Sequence, residues 1–163
     1  MTWTRRIRQT KTRTSTEVGL EHGFRSGLED LNAALLLEHG VKVTYEEYKL
    51  KYSQPEKLRT YTPDFILPNG IVIETKGRFI TSDRQKHLHI KHCWPGLEIR
   101  FVFSNARTKI SKRSTTSYSD WCEHKGFLWA HQTIPITWIN EKPTKTAVKS
   151  AEEALGWTPT KEN

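Results

Sequence analysis

The chain is poor in sulfur. Two cysteines, Cys93 and Cys122, and one methionine stand among 163 residues. Two thiols in a chain of this length make no disulfide framework, which excludes the small secreted scaffolds and points to a reducing cytoplasm. Long apolar runs are missing too. Nothing approaches the ~18 residues of a membrane span, and no apolar stretch follows the basic N-terminus, so neither a span nor a secretory signal is expected. No Cys/His spacing fits a structural zinc site, and there is no internal repeat. Acid is scarce at the start: Arg5, Arg6, Arg8, Lys11 and Arg13 alternate with Thr and Ser before the first carboxylate, Glu17.

What is abundant is positive charge. Lys and Arg total 26 against 18 acids, giving a net charge of +8 and an isoelectric point near 9.6. This balance favours a polyanionic partner, nucleic acid first. The length suits one folded domain with a proper core. Residues 1–23 read as a flexible basic arm, 24–140 as the folded domain and 141–163 as a tail, with a helix expected over Ala147 to Leu155.

Within the domain, periodicity places a helix over residues 26–40. Ser26 is its N-cap and Glu29 completes a capping box. Leu28, Leu31, Ala34 and Leu35 form its expected apolar stripe. Read locally, Glu29 is a cap residue. Residues 41–52 read as a strand whose phase slips at Glu46-Glu47, where a bulge or bend is expected. Residues 53–60 read as a polar connector. A helix over 82–93 starts at Ser82 and carries Arg84, Lys86, His87, His89, Lys91 and His92, read as a basic face. A strand follows over 98–103, then a loop over 104–113 carrying Arg107, Lys109, Lys112 and Arg113. A short helix over 117–125 ends at Gly126, and Phe127 to Trp129 form a last strand. Candidate phosphate contacts are Arg25, Arg84, Lys86, His87, Arg107, Lys109, Lys112 and Arg113. The tryptophans are read as core residues rather than base-stacking groups.

The most informative stretch runs from Thr62 to Gly77 and reads as a hairpin. Phe65-Ile66-Leu67 and Ile71-Val72-Ile73 are β-prone runs, and Pro68-Asn69-Gly70 between them is a turn signal. A three-residue loop with Gly70 at positive φ pairs Leu67 with Ile71 and Asp64 with Glu74. One face then carries Phe65, Leu67, Ile71 and Ile73. The other carries Asp64, Ile66, Val72, Glu74 and Lys76. A two-residue loop would scramble both sets. Facing carboxylates repel, and a hard divalent cation is a natural compensator. The alternative is a solvated polar face with a chance charge pair.

Pro63-Asp64…Glu74-Thr75-Lys76 resembles the PD-(D/E)xK nuclease signature. The likeness extends further. Residues 24–30 (FRSGLED), 61–70 (YTPDFILPNG), 74–77 (ETKG), 83–88 (DRQKHL), 102–104 (VFS) and 116–118 (TSY) together resemble phage endonuclease I, the Holliday-junction resolvases of T7-like phages. The resemblance implies a mixed α/β fold with a restriction-endonuclease-like core, a central mixed sheet flanked by helices, in an intertwined homodimer. It implies that Glu29, Asp64, Glu74 and Lys76 are catalytic. Asp64, Glu74 and the carbonyl of Thr75 would hold one Mg²⁺, and Glu29 with Asp64 a second, with Mn²⁺ also supporting activity. The bent segment over 41–52 would cross between subunits. The implied substrate is branched DNA, cut in the cytoplasm of a bacterial host. The alternatives are a site-specific or transposon-end nuclease on the same core, and a basic DNA-binding protein without catalysis.

Overall fold

The computed structural model describes residues 26–41, 44–54 and 57–159. Arg25, Val43 and the basic arm lie outside the described residues. In chain order the elements are α1 (Gly27–Glu38), β1 (Thr44–Tyr45), β2 (Leu50–Gln54), β3 (Lys57–Tyr61), β4 (Phe65–Ile66), β5 (Val72–Lys76), α2 (Thr81–Cys93), β6 (Ile99–Phe103), α3 (Tyr118–Lys125), β7 (Leu128–His131), α4 (Ile136–Ile139) and α5 (Lys145–Leu155). The fold is mixed α/β.

The main sheet has the order β1-β4-β5-β6-β7. β1, β4 and β5 pair antiparallel, whereas β5, β6 and β7 run parallel. The parallel step from β5 to β6 is bridged by α2, as a crossover requires. Both sheet faces are covered. Phe65, Leu67, Ile71, Ile73, Val102 and Ala130 pack against Ala33 and Leu36 of α1 and against Ile134 and Trp138. Ile66, Val72, Ile99, Phe101 and Phe103 pack against Phe79, Ile90 of α2, Trp121 of α3 and Ala151 of α5. Coverage on both sides explains why β6 is buried at every position.

α1 begins at the expected N-cap, with the Ser26 hydroxyl accepting the Glu29 N–H at 3.3 Å. Its buried face keeps part of the expected stripe, with Leu28 buried and Leu35 half-buried, but not Leu31 or Ala34. Leu28, Glu29, Asn32, Ala33 and Leu36 point inward, while Leu31 is 48% exposed and Ala34 is also exposed. The reason is Asn32. Its fully buried carboxamide donates to the carbonyls of Leu28 (2.8 Å) and Gln132 (3.1 Å) and accepts the Ile134 N–H (2.8 Å). These bonds dock α1 on the corner after β7 and turn Leu31 outward.

The bend near Glu46 is present: this residue has φ +49°, and the chain leaves the main sheet there. β2 and β3 form a separate antiparallel pair, so the expected connector over 53–60 is instead the second half of a hairpin. Its Lys57, Leu58, Arg59 and Thr60 are exposed, which removes the apolar alternation by which strands are recognised. α2 starts one residue earlier than expected, with Ile80 as N-cap and the Asp83 carboxylate accepting the Ile80 N–H at 3.3 Å. The stretch read as a tail contains α5, whose Ala147, Ala151, Ala154 and Leu155 are buried, as is Trp157.

Candidate active site

The hairpin holds the expected register. Phe65 faces Ile73 and Ile66 faces Val72, so Asp64 falls opposite Glu74. The Leu67 N–H donates to the Ile71 carbonyl at 2.9 Å, which closes the three-residue loop. Gly70 has φ +82°, and a Cβ there would meet the Val148 backbone at 3.0 Å. Asn69 donates to the carbonyls of Trp138 (2.8 Å) and Glu141 (3.0 Å). The turn is thereby clamped by the C-terminal segment, and the opposite end of the hairpin carries the charges.

Glu74 is 2% exposed and lies at the centre. Its Oε1 is 2.6 Å from Lys76 Nζ, 3.5 Å from His87 Nε2 and 3.6 Å from Lys86 Nζ. Its Oε2 accepts the Tyr61 hydroxyl at 2.7 Å. Burial would raise this carboxyl, but Lys76, His87 and Lys86 outweigh it and hold Glu74 ionised, well below the usual range. The same interactions act in reverse on the partners. Burial disfavours the charge on Lys76, yet Glu74 and Asp64 raise it above an ordinary lysine. Tyr61 is raised well above its usual range by burial and by Glu74.

Asp64 differs. Its Oδ2 accepts the Thr75 N–H at 2.7 Å and the Thr75 hydroxyl at 2.8 Å. Burial and the nearby charge of Glu74 nonetheless push it up to about 7, against the opposing pull of Lys76 and Thr75. Two carboxyl groups across one strand pair are thus driven apart, one held charged and one held near neutrality.

Asp64, Glu74, Thr75 and Lys76 come together as expected. Glu29 is buried on α1 and accepts the hydroxyl of Tyr45 on β1. α1 packs on the sheet face of Ile73, whereas Val72, of the same parity as Glu74, belongs to the opposite face. Among the described residues, no group of three or more His, Cys, Asp and Glu side chains is close enough to hold an ion.

The expected phosphate contacts divide. Arg84 and His87 do not fit that role, because both are buried. Arg84 donates to the Phe79 carbonyl and, at 2.9 Å, to Thr81. His87 Nδ1 bonds the Asp83 carbonyl at 2.8 Å, and Nε2 faces Glu74 too distantly for a well-formed hydrogen bond. Lys86 lies over the Tyr61 ring, 5.2 Å from its centroid, beside Glu74. Arg107, Lys109, Lys112 and Arg113 are exposed on the loop after β6. Sequence reasoning missed Tyr61 and Tyr45 as carboxylate partners, since a lone tyrosine carries no spacing signature. The one available signal was that Tyr61 opens the 61–70 segment.

Comparison with known proteins then decides the family. The family model for phage endonuclease I matches residues 9–154. Endonuclease I of Escherichia phage T7 is 52% identical over 118 residues, covering 72% of this chain and 79% of that protein. Endodeoxyribonuclease 1 of Enterobacteria phage T3 is 50% identical over 118 residues, covering 72% and 78%. This chain belongs to the phage endonuclease I family. Membership makes it an enzyme, an endonuclease, and sets aside the reading as a binding protein without catalysis. Among the described residues no helix is long and apolar enough to cross a membrane.

Proposed function

We propose that this member of the family is a metal-dependent DNA endonuclease that nicks Holliday junctions and other branched DNA in the cytoplasm of a bacterial host. The observation that carries the reading is the Asp64–Glu74 pair: two buried carboxylates in register, with Lys76 beside them, at the open end of a hairpin fixed at its turn. The donor set fits a divalent ion. The ligands are hard oxygens, and the high pKa of Asp64 marks a buried carboxyl whose charge lacks full compensation. Asp64, Glu74 and the Thr75 carbonyl would hold Mg²⁺ or Mn²⁺, and a second ion would need Glu29 brought to Asp64 by a second copy of the chain, because α1 packs on the sheet face opposite Glu74. When bound, such ions activate water and offset charge on the phosphate.

The residues of the chain do the rest. Lys76, held protonated by Glu74 and Asp64, is an electrostatic group rather than a base. Its ammonium lies 2.6 Å from Glu74 Oε1, and an ion held by Glu74 would compete for that oxygen and would leave Lys76 to face the phosphate. Tyr61 fixes the orientation of Glu74 through Oε2 and so turns Oε1 toward Lys76 and Lys86. Thr75 orients Asp64 through two bonds.

A four-way junction needs two nicks related by near two-fold symmetry, which a homodimer supplies. Leu31, Ala34 and Leu37, three residues apart on α1 and all exposed, give that partner an apolar ridge. Selectivity then comes from junction shape rather than base edges.

The test is cleavage of a four-way junction and of its matched linear duplex, with Mg²⁺ and with chelator, using protein of measured oligomeric state. Metal-dependent, paired nicking of the junction is expected. Cutting of the linear duplex at a fixed sequence would replace this reading with a site-specific nuclease.

A further inference from the structure

A groove of about 510 Å³ opens at the carboxyl ends of β6 and β7. We infer that it is a phosphate subsite holding a nucleotide of the substrate strand beside the scissile bond, an inference that rests on the nuclease reading above. Strand register places the groove relative to Glu74 and Lys76. Lys76 pairs with Phe103 and Phe103 with His131. Glu74 pairs with Phe101 and Phe101 with Trp129. Because side chains alternate, Trp129 and His131 share the sheet face of Glu74 and Lys76, two strand spacings or about 10 Å away. The backbone is continuous between them: the Ser104 N–H donates to the Lys76 carbonyl at 3.1 Å, and the Gln132 N–H to the Phe103 carbonyl at 2.7 Å.

The lining chemistry selects an anion. No carboxylate lines the groove. The Asn105 side-chain oxygen already accepts the Arg107 N–H at 3.1 Å, which leaves its NH₂ free to donate outward. His131 Nδ1 accepts the Ala106 N–H at 3.3 Å, so the neutral ring carries its proton on Nε2. Ser104 adds a hydroxyl and Arg107 an exposed guanidinium. The groups with fixed roles are therefore left as donors, the complement of a phosphodiester. Trp129 supplies an aromatic wall, anchored by its indole N–H on Glu123 at 3.1 Å, and the volume suits a sugar and base as well as the phosphate.

The site is also held in shape. Gln132 sits at φ +65°, an uncommon conformation for a residue with a side chain. Asn32 bonds the backbone on either side of this corner, at the Gln132 carbonyl and the Ile134 N–H. The groove is thus tied to the helix that carries Glu29.

The experiment measures four-way-junction affinity of the full chain in chelator, across a salt series, for wild type, Arg107→Ala, His131→Ala, Trp129→Phe and the control Lys149→Ala. Lys149 lies on the outer face of α5, paired with Glu153. Arg107→Ala and His131→Ala are each expected to weaken binding about 10-fold, and Arg107→Ala to lower the salt slope by about one phosphate contact. Circular dichroism of each variant checks folding. Trp129→Phe, which keeps the aromatic wall, should stay within about 3-fold of wild type. NMR of the His131 ring separates the sources of phosphate. A shift with a short DNA single strand but not with equal inorganic phosphate supports a strand subsite, whereas equal response to both overturns it. Wild-type affinity and slope in folded Arg107→Ala and His131→Ala would also overturn it. Those outcomes leave junction cleavage by wild type intact, whereas loss of the nuclease reading would appear as absent metal-dependent cleavage in the wild type itself.

Discussion

The two ends of the β4–β5 hairpin are built on opposite terms. At the turn, polar groups and charges are matched. Asn69 is bonded to the C-terminal segment, Gly70 lies against Val148, and nearby Arg100 sits between Glu98 (3.0 Å) and Glu141 (2.6 and 2.9 Å) over the Trp138 ring. Both of those carboxylates are about 40% exposed, so water helps to solvate them. At the open end, Asp64 and Glu74 are buried together, and the available cations crowd onto one oxygen of Glu74. The first arrangement is a lock. The second gathers its positive charge on Glu74 and leaves Asp64 in direct contact with the neutral donors of Thr75. A site of this kind persists where the scaffold around it is over-determined, and the turn end provides that.

The largest effect is expected of Glu74→Gln. The amide retains the Tyr61 bond but removes the charge that gathers Lys76 and Lys86. Junction cleavage is expected to fall by about 10³-fold or more, with junction affinity in chelator changed by less than about 3-fold. A single-turnover cleavage assay beside a gel-shift titration reads both. Equal loss of cleavage and binding would place Glu74 in DNA recognition rather than chemistry.

The second prediction concerns Asp64 and pH. In the unfolded chain this carboxyl ionises near 3.8, but in the folded, ion-free protein it keeps its proton up to about 7. Between those values the native state binds more protons than the unfolded state. Stability therefore falls as pH rises from about 4 to about 7, by at most about 4 kcal/mol. Asp64→Asn should abolish that loss, raising the Tm of the ion-free protein by several degrees at pH 8 and little at pH 4. Mg²⁺ should stabilise the wild type at pH 8 and not the variant. A Tm for Asp64→Asn at or below wild type at pH 8 would contradict the raised pKa of Asp64.

The hairpin was legible from sequence because its information is local. Three residues between two apolar runs permit one register that keeps Phe65, Leu67, Ile71 and Ile73 on a common face, and the structure has it. The buried face of α1 was legible only in part, at Leu28 and Leu35. Leucines at 28, 31 and 35 imitate a stripe, yet Asn32 decides the docking through partners one hundred residues away. The inward turn of Arg84 and His87 was hidden for the same reason: a basic residue reads as solvent-facing until its carbonyl or carboxylate partner is known. α5 was expected as a helix, but its closeness to Gly70 depends on a tertiary contact that no pattern encodes.

That contact gives the third prediction. Gly70→Ala adds a Cβ 3.0 Å from the Val148 backbone at a residue with φ +82°, so strain and overlap act together. A loss of about 2 kcal/mol is expected, seen as a lower midpoint in urea unfolding. Val148→Ala removes side-chain atoms but not the backbone that blocks the Cβ, so it should not rescue Gly70→Ala. Rescue would mean that the overlap can be relieved by side-chain repacking.

The smallest effect belongs to Glu141→Gln, and it tests whether the two ends are separate. Glu141 lies below its usual carboxyl range because Arg100 donates to it. At 40% exposure, however, the pair is screened by water. Gln keeps one acceptor for the guanidinium, and Glu98 remains as a second carboxylate partner. Exposed ion pairs are worth under about 1 kcal/mol, so the Tm should fall by no more than about 3 °C. Cleavage should remain within about 2-fold of wild type, because the Asn69 clamp uses the Glu141 backbone carbonyl and not its side chain. A cleavage defect approaching that of Glu74→Gln would show that charge at the turn is coupled to chemistry at the open end, which a merely structural lock does not allow.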